Sequence, residues 1–239
     1  MFSIPGILSQ KRIISPPSST ILYMRGNALF DLSTNQKTIT PHSTSENQIT
    51  FDTSDQIYGS YASMVIPAAT KSYLKFPARI SGVSLGNSAW TIELWVKRVT
   101  SSPVVNLLCF TPDNYSGTLV NLQPFLGNTG QNTTGFWEHT GTVRVINSAT
   151  TVRLPQNQWT HLAICRSGTT LRLFRDGTVF QTISYSLNNT NFSTVYLGVM
   201  AYGSDEVYDA TQVKIAHLHI AQLAYYTANF TANKANGFS

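Results

Sequence analysis

Residues 159–182 read Trp-Thr-His-Leu-Ala-Ile-Cys-Arg-Ser-Gly-Thr-Thr-Leu-Arg-Leu-Phe-Arg-Asp-Gly-Thr-Val-Phe-Gln-Thr. Three runs of period two are separated here by two turn signals. Leu162 and Ile164 share one face of the first run, and His161, Ala163 and Cys165 share the other. After Ser167-Gly168 the alternation resumes with Leu171 and Leu173 opposed to Arg172 and Phe174. Asp176-Gly177 then suits a two-residue hairpin, whose central residues both need positive φ. Three adjoining antiparallel strands are therefore predicted, and nothing in the stretch is a nucleophile–base pair or a metal cage.

The same reading extends along the chain. Short strand-like runs are predicted at 21–25, 38–40, 48–51, 60–66, 72–76, 90–98, 104–110, 119–125, 143–146, 151–154, 194–200 and 213–221. In 90–98, Ile92, Leu94 and Val96 face one way, and Glu93, Trp95 and Lys97 the other. Residues 127–141, rich in Gly, Asn and Thr, read as a loop or hairpin tip around Trp137 and His139, and 202–209 as an acidic, aromatic loop. No helical period persists beyond one turn and no repeat is present, so the fold is an all-β sandwich, jelly roll or barrel.

At 239 residues the chain suits one large β domain that needs no disulfide or metal. Cys109 and Cys165 lie in apolar strands and read as buried thiols. Charged residues make up only 11% of the chain, against about 25% on average. The net charge of +5 is scattered rather than striped, which argues against nucleic acid. No run of about 18 apolar residues suggests a membrane span. The first 20 residues lack the layout of a signal peptide, so synthesis in a cytoplasm is expected. Before Pro16-Pro17, the apolar residues Phe2, Ile4, Ile7, Leu8, Ile13 and Ile14 read as a docking arm for a neighbouring subunit.

Several motifs then resemble, in order, those of laminin-G-like, concanavalin A-like domains. They are Ile21-Leu22-Tyr23-Met24-Arg25-Gly26 with Phe30-Asp31-Leu32-Ser33, then Tyr58-Gly59-Ser60-Tyr61-Ala62, then Trp90-Thr91-Ile92-Glu93-Leu94-Trp95-Val96, and the stretch from Trp159. Tyr225-Tyr226-Thr227-Ala228-Asn229-Phe230-Thr231 resembles the ending of the versions found in bacteriophage virion proteins. The resemblance implies a two-sheet antiparallel jelly-roll sandwich over residues 21–239, preceded by the arm at 1–20. It departs in the last strand, where Ala216 and His217 stand at the family's acidic pair and His219 at its Arg. The ion-pair or calcium role of those acids is not carried over.

What the resemblance implies is a non-enzymatic phage virion structural protein, from a tail fibre, baseplate or head decoration. It would be made in the host cytoplasm and would act through homo-oligomer and virion interfaces and adhesion to host surface glycans. A stand-alone lectin is the alternative, and a glycoside hydrolase a third reading. Hydrolysis needs two carboxyls roughly 5–9.5 Å apart, and no strand carries two acids on one face. No nucleophile elbow, phosphate loop or paired-cysteine metal motif is present. Sugar binding needs flat aromatics beside polar groups, and Asn114, Tyr115, Trp137, His139, Tyr202 and Asp205 meet that description on loops. No cofactor is expected, with calcium on Asp205, Glu206 and Asp209 as the alternative left open. His217 and His219 share a strand face and read as surface or interface residues, and His161 as structural.

Overall fold

The computed structural model describes residues 16–25, 29–42, 48–57, 62–67, 72–77, 88–99, 107–112, 118–124, 134–140, 143–144, 154–184, 192–198, 200–202, 206–208 and 212–232. These contain strands and turns and no helix. The first strands are β1 (Thr20–Arg25), β2 (Thr40–His42), β3 (Thr50–Asp52), β4 (Ser63–Ile66), β5 (Tyr73–Pro77) and β6 (Trp90–Arg98). Next come β7 (Leu108–Pro112), β8 (Thr118–Pro124), β9 (Thr134–Thr140), β10 (Val143–Arg144) and β11 (Trp159–Ser167). The last are β12 (Thr170–Arg175), β13 (Thr178–Ser184), β14 (Phe192–Leu197), β15 (Met200–Tyr202), β16 (Glu206–Tyr208) and β17 (Val213–Ala221).

They form two large antiparallel sheets. An eight-stranded sheet runs β13-β12-β11-β6-β17-β4-β3, with β1 also paired to β17. A seven-stranded sheet runs β10-β9-β8-β7-β14-β5-β2, and β15-β16 form a separate hairpin. The fold is thus the all-β sandwich expected. Its core is the set of alternate residues on the two inner faces: Ile92, Leu94 and Val96 of β6, Leu162 and Ile164 of β11, and Leu171 and Leu173 of β12 meet Leu74, Phe76, Leu108, Phe110, Val195 and Leu197 of the other sheet. Burying each such side chain is worth about 1.5–3 kcal/mol relative to exposure, and this is the main force holding the sheets together.

Two local devices set the frame. Asp176 and Gly177 both take positive φ, 49° and 79°, so the β12–β13 hairpin is the primed turn expected of Asp-Gly. Asp31 fixes the turn after β1: its Oδ1 accepts from the Tyr23 and Ser33 backbone N–H groups at 3.0 and 2.8 Å, and its Oδ2 accepts from Ser33 Oγ at 2.7 Å and Lys37 N at 2.9 Å. Both cysteines are buried and neither is in a disulfide.

A third device is a register shift in β17 between Ile215 and His217. Before it Val213 and Ile215 face the core, and after it Leu218 and Ile220 do. The extra residue, Ala216, changes the parity, and His217 and His219 go to the outer face. That outer face is not left to solvent. Residues 222–232 cross it as a strap, and Ala163, Cys165 and Phe174 pack with Tyr226, Tyr225 and Phe230.

Two sequence expectations are corrected. Residues 134–140 are strand β9 rather than a loop tip, because pairing with β8 along its whole length from Thr134 to Thr140 outweighs the weak propensity of a Gly- and Thr-rich segment. Tyr202 and Glu206 are paired across the β15–β16 hairpin rather than lying in an open loop.

Candidate functional site

The chemistry-bearing side chains of the described residues gather on the outer face of the eight-stranded sheet. Glu93 points there because its neighbours Ile92 and Leu94 take the core. Pairing sets Ala163 on one side of Glu93 and His219 on the other, and sets His161 and His217 on either side of Trp95. Glu93 Oε1 lies 2.8 Å from His219 Nδ1, and its Oε2 lies 3.2 Å from His161 Nε2. The Tyr226 hydroxyl of the strap donates to Oε2 at 2.6 Å. With Glu93 ionised, both imidazoles present an N–H to it. His219 Nε2, 3.0 Å from Thr20 Oγ1, then accepts from that hydroxyl when the ring is neutral.

Glu93, His161, His217 and His219 are each at most 2% exposed, so the two β17 histidines belong to the interior and not to the surface or interface expected of them. The reason is the strap and β1. Tyr23 stacks on His217 with centroids 6.0 Å apart, and Tyr225 lies 5.6 Å from His219. His161 is held structurally, as read from the sequence, between Trp95 and Phe230.

Burial alone would raise the Glu93 carboxyl. The hydrogen bonds and charges of His161 and His219 outweigh it and bring it down to about 2. Burial first, and then the Arg25 charge, push His217 down to about 3. Both groups are therefore depressed in the fold, so the unfolded chain takes up protons that the folded chain refuses. Stability contributed by such groups is present in full above their ordinary values, near 6.5 for His217 and 4.5 for Glu93, and is lost as pH falls through their folded values. Urea midpoints are expected to fall from about pH 6.5 downward. The limiting slope is about 1.4 kcal/mol per pH unit for each group. His217→Asn flattens the limb between about pH 6.5 and 4.5 and roughly halves the slope from there to about pH 3, where Glu93 alone then contributes. A wild-type midpoint constant between pH 7 and 4 would contradict this reading.

Beside this network lies a charged lattice. Lys214 reaches Asp52 and Asp55, each at 2.6 Å, and Lys97 reaches Asp55 at 2.8 Å. The Trp159 indole N–H donates to Asp55 Oδ1 at 3.1 Å. Hydrogen bonds from Lys214 and Ser54 hold the Asp52 carboxyl well below the usual carboxylate range. Next to Trp159 is a hollow of about 300 Å³ lined by Trp95, Gln158, Trp159, Asp176, Phe230, Thr231 and Ala232.

Of the sugar-site residues inferred from sequence, the described ones lie in other strands. Asn114, Tyr115, Asp205 and Asp209, and the arm residues Phe2, Ile4, Ile7, Leu8, Ile13 and Ile14, lie outside the described residues. Trp137 and His139 fall in β9. Pairing sets Trp137 opposite Asn121, Asn121 opposite Cys109, Cys109 opposite Tyr196, and Tyr196 opposite Lys75, in one row across the seven-stranded sheet. The row's described side chains are not part of the inter-sheet core, whose inward set in β5, β7 and β14 is Leu74, Phe76, Leu108, Phe110, Val195 and Leu197. Tyr202 and Glu206 lie apart from that row, in the hairpin. Sequence reasoning missed the Glu93 network and the Trp159 hollow. Their only local signal is a polar residue recurring on the non-core face of β6, β11 and β17.

A model of the concanavalin A-like lectin/glucanases superfamily matches residues 68–224. No curated protein sequence matches the chain. Among solved structures, botulinum neurotoxin type C, which depends on interaction with two ganglioside molecules to enter cells, superposes with a TM-score of 0.61 at 15% identity, over 87% of this chain and 49% of that one. Domain 4 of AbnA, a GH43 extracellular arabinanase from Geobacillus stearothermophilus in complex with arabinotriose, gives 0.58 at 18%, over 86% and 93%. The binding domain of botulinum neurotoxin DC in complex with rat synaptotagmin II gives 0.60 at 13%, over 87% and 49%. The chain thus spans about half the length of the neurotoxin structures and nearly all of the arabinanase domain.

Proposed function

The chain belongs to the concanavalin A-like lectin/glucanases superfamily, and on that footing we propose that it is a non-enzymatic glycan-binding protein of a phage virion. The observation that carries the glycan reading is the row across the seven-stranded sheet. It sets Trp137, Asn121, Cys109, Tyr196 and Lys75 at successive register positions, buried at Cys109 and Tyr196 and exposed at Lys75, and so brings together the flat rings and polar groups that sugars require. Solved structures of this shape include one in complex with arabinotriose and one whose cell entry depends on interaction with two ganglioside molecules.

The non-enzymatic part is supported by the carboxylates whose side chains are described, among which no two stand open to a substrate together. Asp31 holds a turn, Asp52 and Asp55 hold lysines, Glu93 holds two histidines and a tyrosine, and Asp176 accepts from the His161 backbone. A hydrolase needs a carboxylate pair left open to substrate. The virion part is supported by the ending at 225–231 and by the low charge of the chain. Residues 2–14 would tie copies to the particle, and many copies convert weak single contacts into firm adhesion without a cofactor.

A glycan array probed with the protein displayed in multiple copies tests this. Binding to host-surface glycans is expected, with roughly tenfold weaker binding for Trp137→Ala, equivalent to about 1.4 kcal/mol. An array without hits sinks the reading, and release of reducing ends from any bound glycan sinks its non-enzymatic part.

A further inference from the structure

We propose a second saccharide subsite on the opposite sheet, in the hollow between Trp159 and the strap, taking one or two neutral sugar units of a longer glycan. It rests on the glycan-binding reading and extends it to a face that the seven-stranded sheet does not share.

The hollow has the construction such a ligand needs. Trp95, 1% exposed, belongs to its lining, and the partly buried rings of Trp159 and Phe230 stand beside it. Both rings are fixed before any ligand arrives. The Trp159 N–H is spent on Asp55 at 3.1 Å, which sets the indole plane. Phe230 stacks on Tyr226 with centroids 3.7 Å apart at 11°, and stands edge-on to Phe174 and His161. Rigid aromatics lose little freedom on binding, so their contact area converts efficiently into affinity.

Exposed polar groups complete the site: Gln158, Asp176 and Thr231. Asp176 Oδ1 accepts from the His161 backbone N–H at 2.9 Å, which orients the carboxylate and leaves Oδ2 as an acceptor for a sugar hydroxyl. Gln158 offers both a donor and an acceptor, and Thr231 a hydroxyl that can serve as either. No lysine or arginine lines the hollow, and one carboxylate does, so sialic or uronic acids are disfavoured. Its volume of about 300 Å³ lies at the lower end of the usual range for ligand sites, about 300–1,000 Å³. That is room for a mono- or disaccharide and not a long chain.

The test uses the full chain labelled with 5-fluorotryptophan, whose four tryptophans give separate ¹⁹F resonances assigned by single Trp→Phe variants. Maltotriose, cellotriose, arabinotriose and any array-positive glycan are titrated, with sialyllactose as the anionic probe. The Trp159 resonance is expected to move with a neutral glycan. Gln158→Ala and Asp176→Asn are each expected to raise the Kd read at that resonance about tenfold. Asn is accepted in this turn, so Asp176→Asn retains the hairpin, and Gln158 is a surface side chain. Glycan binding that moves Trp137 and leaves Trp159 still overturns the subsite while the broader reading stands. Movement of Trp159 by sialyllactose alone overturns the neutral-sugar assignment. Absence of binding by any glycan, here and on the array, removes both.

Discussion

Glu93→Ala is expected to destabilise the protein by about 3–5 kcal/mol, the range for removing one member of a buried charged cluster. The carboxylate is the shared acceptor for His161, His219 and Tyr226, from three separate parts of the chain. Deleting it leaves those polar groups facing one another at positions that are at most 6% exposed. Water has little access to replace the lost acceptor, and the cavity adds to the loss. Glu93→Gln keeps the shape and one acceptor oxygen but points an amide at an imidazole, so a smaller loss is expected. Tyr226→Phe removes only the strap's bond. In a double-mutant cycle with Glu93→Gln it is expected to couple by about 1–3 kcal/mol. Urea unfolding followed by tryptophan fluorescence measures all three. A Glu93→Ala loss under about 1 kcal/mol would show that the cluster is not the anchor described here.

The second large effect is expected at Gly177. A Cβ there would lie 1.9 Å from the Phe230 carbonyl oxygen, and 2.9 and 3.2 Å from Phe230 C and Ala232 N. These are backbone atoms, which cannot rotate out of the way as a side chain would. Gly177→Ala must therefore lift the strap, breaking the Phe230 N–H bond to Gly177 O at 2.9 Å and the Val179 N–H bond to Asn229 Oδ1 at 2.8 Å. Gly168 supplies the control. It has positive φ too, 59°, but a methyl added there would meet nothing within 4 Å. Gly168→Ala is expected to cost about 1–2 kcal/mol, the left-handed backbone alone, and Gly177→Ala about 3 kcal/mol or more. Limited proteolysis after residue 221 should also accelerate in Gly177→Ala and not in Gly168→Ala. Equal losses at the two glycines would mean that the strap does not seat on this turn.

The strands that hold the molecule together are legible in the sequence because their period is strict. Residues 90–98 and 170–175 stand out by alternation alone and match β6 and β12 end to end, and the strand expected at 213–221 matches β17. The Asp-Gly turn is legible because its backbone demands leave few residue choices. Strand β9 is not, since Gly135 and its Thr and Asn flanks carry turn propensity and only the partner strand reveals the pairing. The Glu93 network is invisible for a different reason. Its members come from β1, β6, β11, β17 and the strap, with Thr20 and His219 separated by 199 positions. Each taken alone is one polar residue in a strand, which is ordinary on a solvated face. The strap turns that face into interior, and no window of local sequence records that. The parity change at Ala216 hides the matter further, because strict alternation through β17 would aim His217 and His219 inward with Val213 and Ile215.

The place of β17 and the strap in the sheet has a consequence for biosynthesis. β17 lies between β6 on one side and both β4 and β1 on the other, so β1 has no partner in the eight-stranded sheet until residues 217–221 exist. The strap then returns to the starting corner, where Gln222 N–H donates to Ser19 O and the Ser19 and Tyr225 hydroxyls meet. Contacts this distant in sequence give a high contact order, and chains of that kind fold slowly. The nascent chain emerges from the ribosome with β1 unpaired in this sheet until β17 has been made. Closure of this sheet must await β17, and truncation before residue 213 should yield an aggregation-prone fragment with unpaired β edges rather than a smaller stable domain.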